Sequence, residues 1–185
     1  MSLSPEQRAR FLPERPWPTY AFVPGRDLPH PVADPEGHSF GVHAASVSID
    51  PARWQECDPY LWGIDLFNFG FYWEAHEAWE GVWRHYDRSE TPALFLQGLI
   101  KLAAAGVKVR EGVAEGVRSL AAGAAEHLRE VCARADGGSY CGLRIADLET
   151  AARGIDAGAD NYVPDADAGP RVVFDLILQP GGCEA

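Results

Sequence analysis

Residues 71–86 read FYWEAHEAWEGVWRHY, and their spacing of apolar side chains predicts an amphipathic helix. At about 100° per residue, one side of this helix is aromatic and apolar, and we expect it to face the core. That side comprises Phe71, Tyr72, Ala75, Ala78, Trp79, Val82, Trp83 and Tyr86. The opposite side, predicted to be solvated, carries Glu74, Glu77, Gly81, Arg84 and His85, with His76 and Glu80 along the border.

The border pair His76 and Glu80 has three interpretations. The two residues lie one helical turn apart, so an imidazole and a carboxylate can touch the same atom. In the first interpretation they form ordinary hydrogen bonds while Glu77 is solvated. In the second they are metal ligands, with Glu77 as a further ligand or as a general base, because His-Glu-x-x-Glu resembles the zincin pattern His-Glu-x-x-His with its second histidine replaced. In the third they are an acid–base pair without a metal.

Caps, prolines and glycines predict the other helices. Asp58-Pro59 and Thr91-Pro92 each pair an N-cap residue with proline at the first helical position. Gly70 and Gly112 have the positions of C-terminal glycines. The predicted helices cover residues 51 or 59 to 68, 71–86, 92–110, 113–133 and 143–153. We therefore expect an all-α fold, a compact bundle of about four to five helices.

Two tracts of small residues predict how two of these helices pack. Residues 103–106 read AAAG and residues 121–125 read AAGAA. Alanine alone would reflect helix propensity, but the glycines indicate a close approach of helix axes. The third and fourth helices are therefore expected to form an antiparallel hairpin.

The two ends of the chain are predicted to be extended. Residues 1–50 form an arm in which prolines exclude a helix, while aromatic residues provide anchors for docking. Arg171–Leu178 has strand composition, so it either pairs with Ser46–Ile49 or lies extended over the bundle. We expect one domain over residues 1–185, with the arm at 1–50, a helical core at 51–135, and a short helix plus an extended segment at 136–185.

The arm contains a second group of potential metal ligands, namely His30, Asp34, His38 and His43. Histidines and aspartates in such loops more often form turns or bond to the backbone. A site shared by the arm and the helix at 71–86 is the alternative.

A polar stripe on the third helix consists of Gln97, Lys101 and Lys108. Its simplest interpretation is a solvated face. If that face meets the acidic border of the preceding helix, Gln97 and Lys101 become pocket partners of Glu77 or Glu80.

Composition excludes several classes of function. A net charge of −11 without clustered Lys or Arg argues against binding to nucleic acid or to anionic lipid. Residues 93–109 are apolar but interrupted by polar residues, and we expect no membrane span there. The N-terminus has no apolar signal segment, and the four cysteines match no zinc or disulfide pattern. We therefore expect a reduced, cytoplasmic protein, and the six tryptophans suggest a homodimer or a pocket.

Two ordered motifs resemble the signature of domain of unknown function family 309. They are FNFGFYWEAHEAWEGVW at 67–83 and FLQGLIKLAAA at 95–105. The resemblance implies an all-helical fold in which the helix with Glu-Ala-His-Glu packs on the helix with Gln-Gly-Leu-Ile, and it implies no established activity. The family-type positions are Asn68, Glu74, His76, Glu77, Glu80, Trp83, Gln97 and Lys101.

The leading functional hypothesis is an inter-helix pocket, walled by His76, Glu77, Glu80 and Gln97, that binds a divalent metal or a small polar ligand. As an enzyme it would carry out metal-assisted hydrolysis, with His76 and Glu80 as ligands and Glu77 as the base. The alternative is a structural or interaction module in which the same residues form a buried hydrogen-bond network. A metal site requires three converging ligands and an opening to solvent, whereas a structural network is closed and internally satisfied.

Overall fold

The structure, a computed structural model, describes residues 9–42, 47–135 and 138–181. Within these ranges the chain forms five α-helices and one antiparallel hairpin of two strands, each two residues long. The predominance of helix confirms the all-α class. The helices are α1 (Asp58–Asn68), α2 (Tyr72–Trp83), α3 (Thr91–Glu111), α4 (Ala114–Arg134) and α5 (Ile145–Ala157). The hairpin strands are β1 (Ser139–Tyr140) and β2 (Leu143–Arg144), and short 3₁₀ turns occupy Trp54–Glu56 and Ala159–Asn161.

Each helix packs against the next one in the chain, which gives a bundle of consecutive neighbours. The α3–α4 pair is the predicted hairpin. Gly98 faces Leu128 and Gly123 faces Lys101, so the residue numbers run in opposite directions along the contact. The absent side chains at these glycines let the two helices approach closely.

Most predicted helix ends lie within two residues of the observed ones, but Asp58 and Thr91 are the first residues of α1 and α3 and not N-caps. Gly70 and Gly112 adopt φ values of +85° and +77°, as expected of C-terminal glycines. The prediction for α2 was too long at its C-terminus, because α2 ends at Trp83 and the chain turns. There the Tyr86 hydroxyl accepts a hydrogen bond from the Ile49 amide and donates one to the Ile49 carbonyl (2.6 and 3.0 Å).

The C-terminal segment lies extended over the bundle. The side chain of Asn68 pairs with Leu178 as a neighbouring strand would, accepting from its amide and donating to its carbonyl, both at 2.8 Å. The Tyr72 hydroxyl accepts a hydrogen bond from the Val173 amide at 3.0 Å. No strand forms among the described residues of 171–178, because side chains of α1 and α2 supply these backbone partners. In the alternative partner segment Ser46–Ile49, Ser46 lies outside the described residues, and residues 47–49 form no strand.

The described part of the arm is docked on α1 and α2 by buried carboxylates. Asp65 accepts hydrogen bonds from the amides of Phe11 and Leu12 at 2.8 and 2.9 Å. Glu74 accepts one from the amide of Phe22 at 2.8 Å. The prediction that Glu74 and Gly81 are solvated was therefore wrong, since the arm covers the side of α2 that the helical periodicity placed in water.

Helix α3 is long and apolar enough to cross a membrane by length and composition, and among the described residues it alone meets those criteria. It has 21 residues, and an 18-residue window within it has a mean hydropathy of 1.4. Length and composition therefore do not exclude a membrane span, contrary to the expectation from residues 93–109. In the bundle, 67% of its apolar window is buried, and α2 and α4 pack against it. This packing is that of a core helix.

Gly63 provides a test of the α1–α2 packing. A methyl group at this position would overlap the indole of Trp79, which is fully buried and donates a hydrogen bond to the Tyr60 carbonyl at 3.1 Å. We expect Gly63→Ala to lower the free energy of unfolding by about 1–3 kcal/mol, measured by urea denaturation. Gly154→Ala is the matched control, because a methyl group there meets no atom within 4 Å. It should leave stability unchanged or raise it by up to about 1 kcal/mol, and equal losses in both variants would contradict this packing.

Candidate metal centre and adjoining cavity

Three side chains of α2 converge on one point. One potential ligand atom each from His76, Glu77 and Glu80 lies within 4.8 Å of the others. Their side chains are 27%, 32% and 24% exposed, so the cluster is open to solvent at the edge of the bundle. No second group of this kind occurs within residues 9–42, 47–135 and 138–181. The helix repeat brings positions 76 and 80 together, and Glu77 reaches them from the adjacent position.

The electrostatics within the triad favour an ionised Glu77. The Nδ1 atom of His76 lies 3.5 Å from Oε1 of Glu77, a distance of ion pairing rather than of a good hydrogen bond. The His76 imidazole lowers the pKa of Glu77, while partial burial opposes that shift. His76 Nδ1 is buried and has no hydrogen-bond partner among the described residues, so the ion pair with Glu77 leaves this atom without a hydrogen bond.

Arg84 currently neutralises part of the cluster. Its guanidinium donates a hydrogen bond to Glu80 at 2.5 Å across one helical turn. The Arg84 side chain is 62% exposed, so it can turn into solvent without unpacking the core. A metal cation that binds Glu80 would therefore compete with an exposed surface arginine and not with a buried partner.

A cavity of about 310 Å³ adjoins the triad between the arm, α1 and α2. Glu77 belongs to both the triad and the cavity wall. The cavity is lined by Arg15, Pro18, Val32, His38, Ser39, Val42, Pro59, Trp62, Leu66, Trp73, Glu74, Glu77, Ala78 and Gly81. A ligand held in this space would thus contact a residue of the triad directly.

The second acid in the cavity wall, Glu74, is buried. Its Oε1 accepts the hydrogen bond from Phe22 and lies 3.3 Å from Nε2 of His38. Its Oε2 has no hydrogen-bond partner among the described residues. The arm therefore satisfies only one of the two carboxylate oxygens.

The other residues predicted for the pocket lie elsewhere. Asn68 is buried under the C-terminal segment, and Trp83 is half-buried beneath the Arg88 guanidinium, 5.9 Å from the ring centroid. Lys101 packs on α4 beside Gly123. Burial lowers the pKa of His127, and the positive charge of Lys101 lowers this pKa further. Gln97 is half-buried one turn away from Lys101. The polar stripe of α3 thus faces α4 and not the acidic border of α2.

The arm residues that we singled out have three different environments. His38 reaches Glu74 and also contacts the Ser39 hydroxyl at 2.9 Å, so it joins the cavity wall but not the triad. His30 packs edge-on against Trp73 with ring centroids 5.4 Å apart. Asp34 accepts a hydrogen bond from the Glu36 amide at 2.9 Å, as a turn-forming aspartate does. His43 lies outside the described residues.

Sequence reasoning missed Asp65 and the arm side of the cavity. Asp65 had a visible signal, because it is a lone acid within the apolar run YLWGIDLF at 60–67. Such a residue in a helix that is buried on all sides must have internal partners. No feature of the sequence indicated that Arg15 and Val42 line the cavity, because their positions depend on how an irregular arm folds back on the bundle.

The model of the family described as Domain of unknown function (DUF309) matches residues 60–120. This match confirms the resemblance predicted from the two motifs, over the segment from α1 into the first part of α4. The implied packing of α2 on α3 is also present. A search of curated proteins found no significant match.

The lowered pKa of Glu77 has a consequence for stability. Its ordinary value is 4.5, so the ionised carboxylate stabilises the fold above this pH, and the contribution is lost as the pH falls through the lowered pKa. We expect Glu77→Gln to reduce the free energy of unfolding more at about pH 6 than at about pH 3, measured by urea denaturation. Glu115→Gln, at an exposed position on α4, is the control. Its effect on the free energy of unfolding should change little between these two pH values. An equal loss at both pH values for Glu77→Gln would contradict the ion pair with His76.

Proposed function

We propose that this protein binds a divalent metal ion through His76, Glu77 and Glu80. The observation that carries the proposal is the convergence of three ligand atoms within 4.8 Å on a solvent-accessible edge of the bundle. One imidazole and two carboxylates suit zinc, iron or manganese. Three protein ligands also leave coordination positions for water or substrate, which is typical of catalytic metal sites.

The chemistry that such a centre would support is hydrolysis. A divalent ion lowers the pKa of bound water and supplies a nucleophile near neutral pH. Glu77 has two carboxylate oxygens, so one can coordinate the ion while the other accepts a proton from the water. The position of Glu77 in the cavity wall would place this chemistry beside a bound substrate.

The rival proposal, a structural network that fixes the helix register, has less support at this position. Such a network would be closed and internally satisfied. The triad is partly exposed, and His76 Nδ1 has no hydrogen-bond partner among the described residues. Asn68 and Asp65 show the contrasting pattern, because both are buried and hold backbone groups of distant segments.

Elemental analysis and zinc titration test this proposal. Protein purified without chelator should contain near-stoichiometric metal, and isothermal titration of the metal-free protein with Zn²⁺ should give one saturable site. The double variant His76→Ala, Glu80→Ala should weaken binding by about 100-fold or more, since it removes two of three ligands.

The matched control is His127→Ala, Glu130→Ala, which removes the same residue types from α4, where no such triad occurs among the described residues. This control should bind Zn²⁺ like the parent protein. Absence of a saturable site in the parent protein, or equal affinity in both double variants, would refute the metal centre.

A further inference from the structure

The cavity between the arm, α1 and α2 has a composition of its own, separate from the metal ligands His76 and Glu80. Its volume of about 310 Å³ is at the lower end of the range for small-molecule sites. Most of its wall is apolar, with Trp62 and Trp73 as the largest side chains, and Glu74 and Glu77 are its two acids. This is a pocket for a small molecule with an apolar body.

The buried acid Glu74 shows which polar group that molecule needs. The residue is 5% exposed, and its Oε2 has no hydrogen-bond partner among the described residues. A carboxylate oxygen only accepts hydrogen bonds, and leaving a buried one unpaired is costly. A ligand in the cavity that reaches the Glu74 carboxylate must therefore supply an N–H or O–H donor.

The charges of the cavity wall favour a cationic donor. Glu74 and Glu77 both line the cavity. The basic residues of the wall are already engaged or peripheral. His38 contacts Glu74. Arg15 is exposed, and its guanidinium lies over the Trp62 ring, 4.5 Å from the centroid. An anionic ligand would face two acids at close range, whereas an ammonium would gain charge-assisted hydrogen bonds.

We propose that this cavity binds a small organic amine, with its ammonium at Glu74 and Glu77 and its apolar body against Trp62, Trp73 and Ala78. The arm completes the site, because Val32, His38 and Val42 form its outer wall. The proposal goes beyond the metal centre, since Glu74 is no part of the triad and His76 and Glu80 do not line the cavity. Glu77 belongs to both sites, so amine binding is tested on metal-free protein.

Isothermal titration of metal-free protein, kept in chelator, with phenethylamine tests the proposal. Saturable binding is expected, and 2-phenylethanol, a neutral analogue of the same shape, should bind at least about tenfold more weakly. The anion 3-phenylpropanoate should bind more weakly still.

Variants identify the site. Glu74→Gln keeps an oxygen that can accept the Phe22 amide but removes the charge, and it should weaken phenethylamine binding at least about tenfold. Ala78→Leu, which fills the cavity without changing the charge, should weaken it as well. Glu115→Gln, at an exposed position on α4 that does not line the cavity, should bind phenethylamine like the parent protein.

The outcomes separate this proposal from the metal centre. Loss of zinc binding in the His76, Glu80 double variant, together with amine binding by the parent protein that Glu74→Gln weakens, supports both. Absence of zinc binding with amine binding sensitive to Glu74→Gln supports the amine site alone. The amine site would be overturned if the parent protein did not bind phenethylamine or bound 2-phenylethanol equally well. It would also be overturned if Glu74→Gln and Ala78→Leu bound phenethylamine as tightly as the parent protein.

Discussion

The hydrogen bonds from arm amides to two buried carboxylates are the interaction on which the rest of this structure depends. The arm has no regular secondary structure over its described residues, so its buried amides need acceptors from elsewhere. Asp65 on α1 accepts two of them and Glu74 on α2 accepts one. Burial raises the pKa of Asp65, and the two amide hydrogen bonds partly offset this shift, so the docking of the arm also stabilises an acid inside the bundle.

Because the arm docks on α2, two sides of this helix are covered. The position of the arm also determines where the cavity of the candidate site lies. One side of α2 packs on α1 and α3, and the arm lies over Glu74. The triad of His76, Glu77 and Glu80 remains partly exposed, and the cavity lies between the arm and the two helices. Glu77 connects the two features, because it belongs to both.

The sequence was sufficient for the helices and the triad because both depend on local rules. Prolines and glycines indicated where several helices begin and end, and the helix repeat alone brings His76 and Glu80 together. The environment of Glu74 was not predictable in this way. A helical wheel describes one helix in isolation, so it placed Glu74 in water, where an irregular arm in fact covers it. The contact of Lys101 with α4 and the pairing of Asn68 with Leu178 likewise depend on tertiary packing, which leaves no periodic signal in the sequence.

Amide hydrogen exchange followed by NMR tests the docked arm most directly. The account predicts that the amides of Phe11, Leu12 and Phe22 exchange slowly, close to the rates of α1, because each is bonded to a buried carboxylate. The exposed arm residues Glu14 and Thr19 should exchange much faster. Exchange of the Phe11, Leu12 and Phe22 amides as fast as that of Glu14 and Thr19 would contradict the docked arm, and with it the outer wall of the cavity.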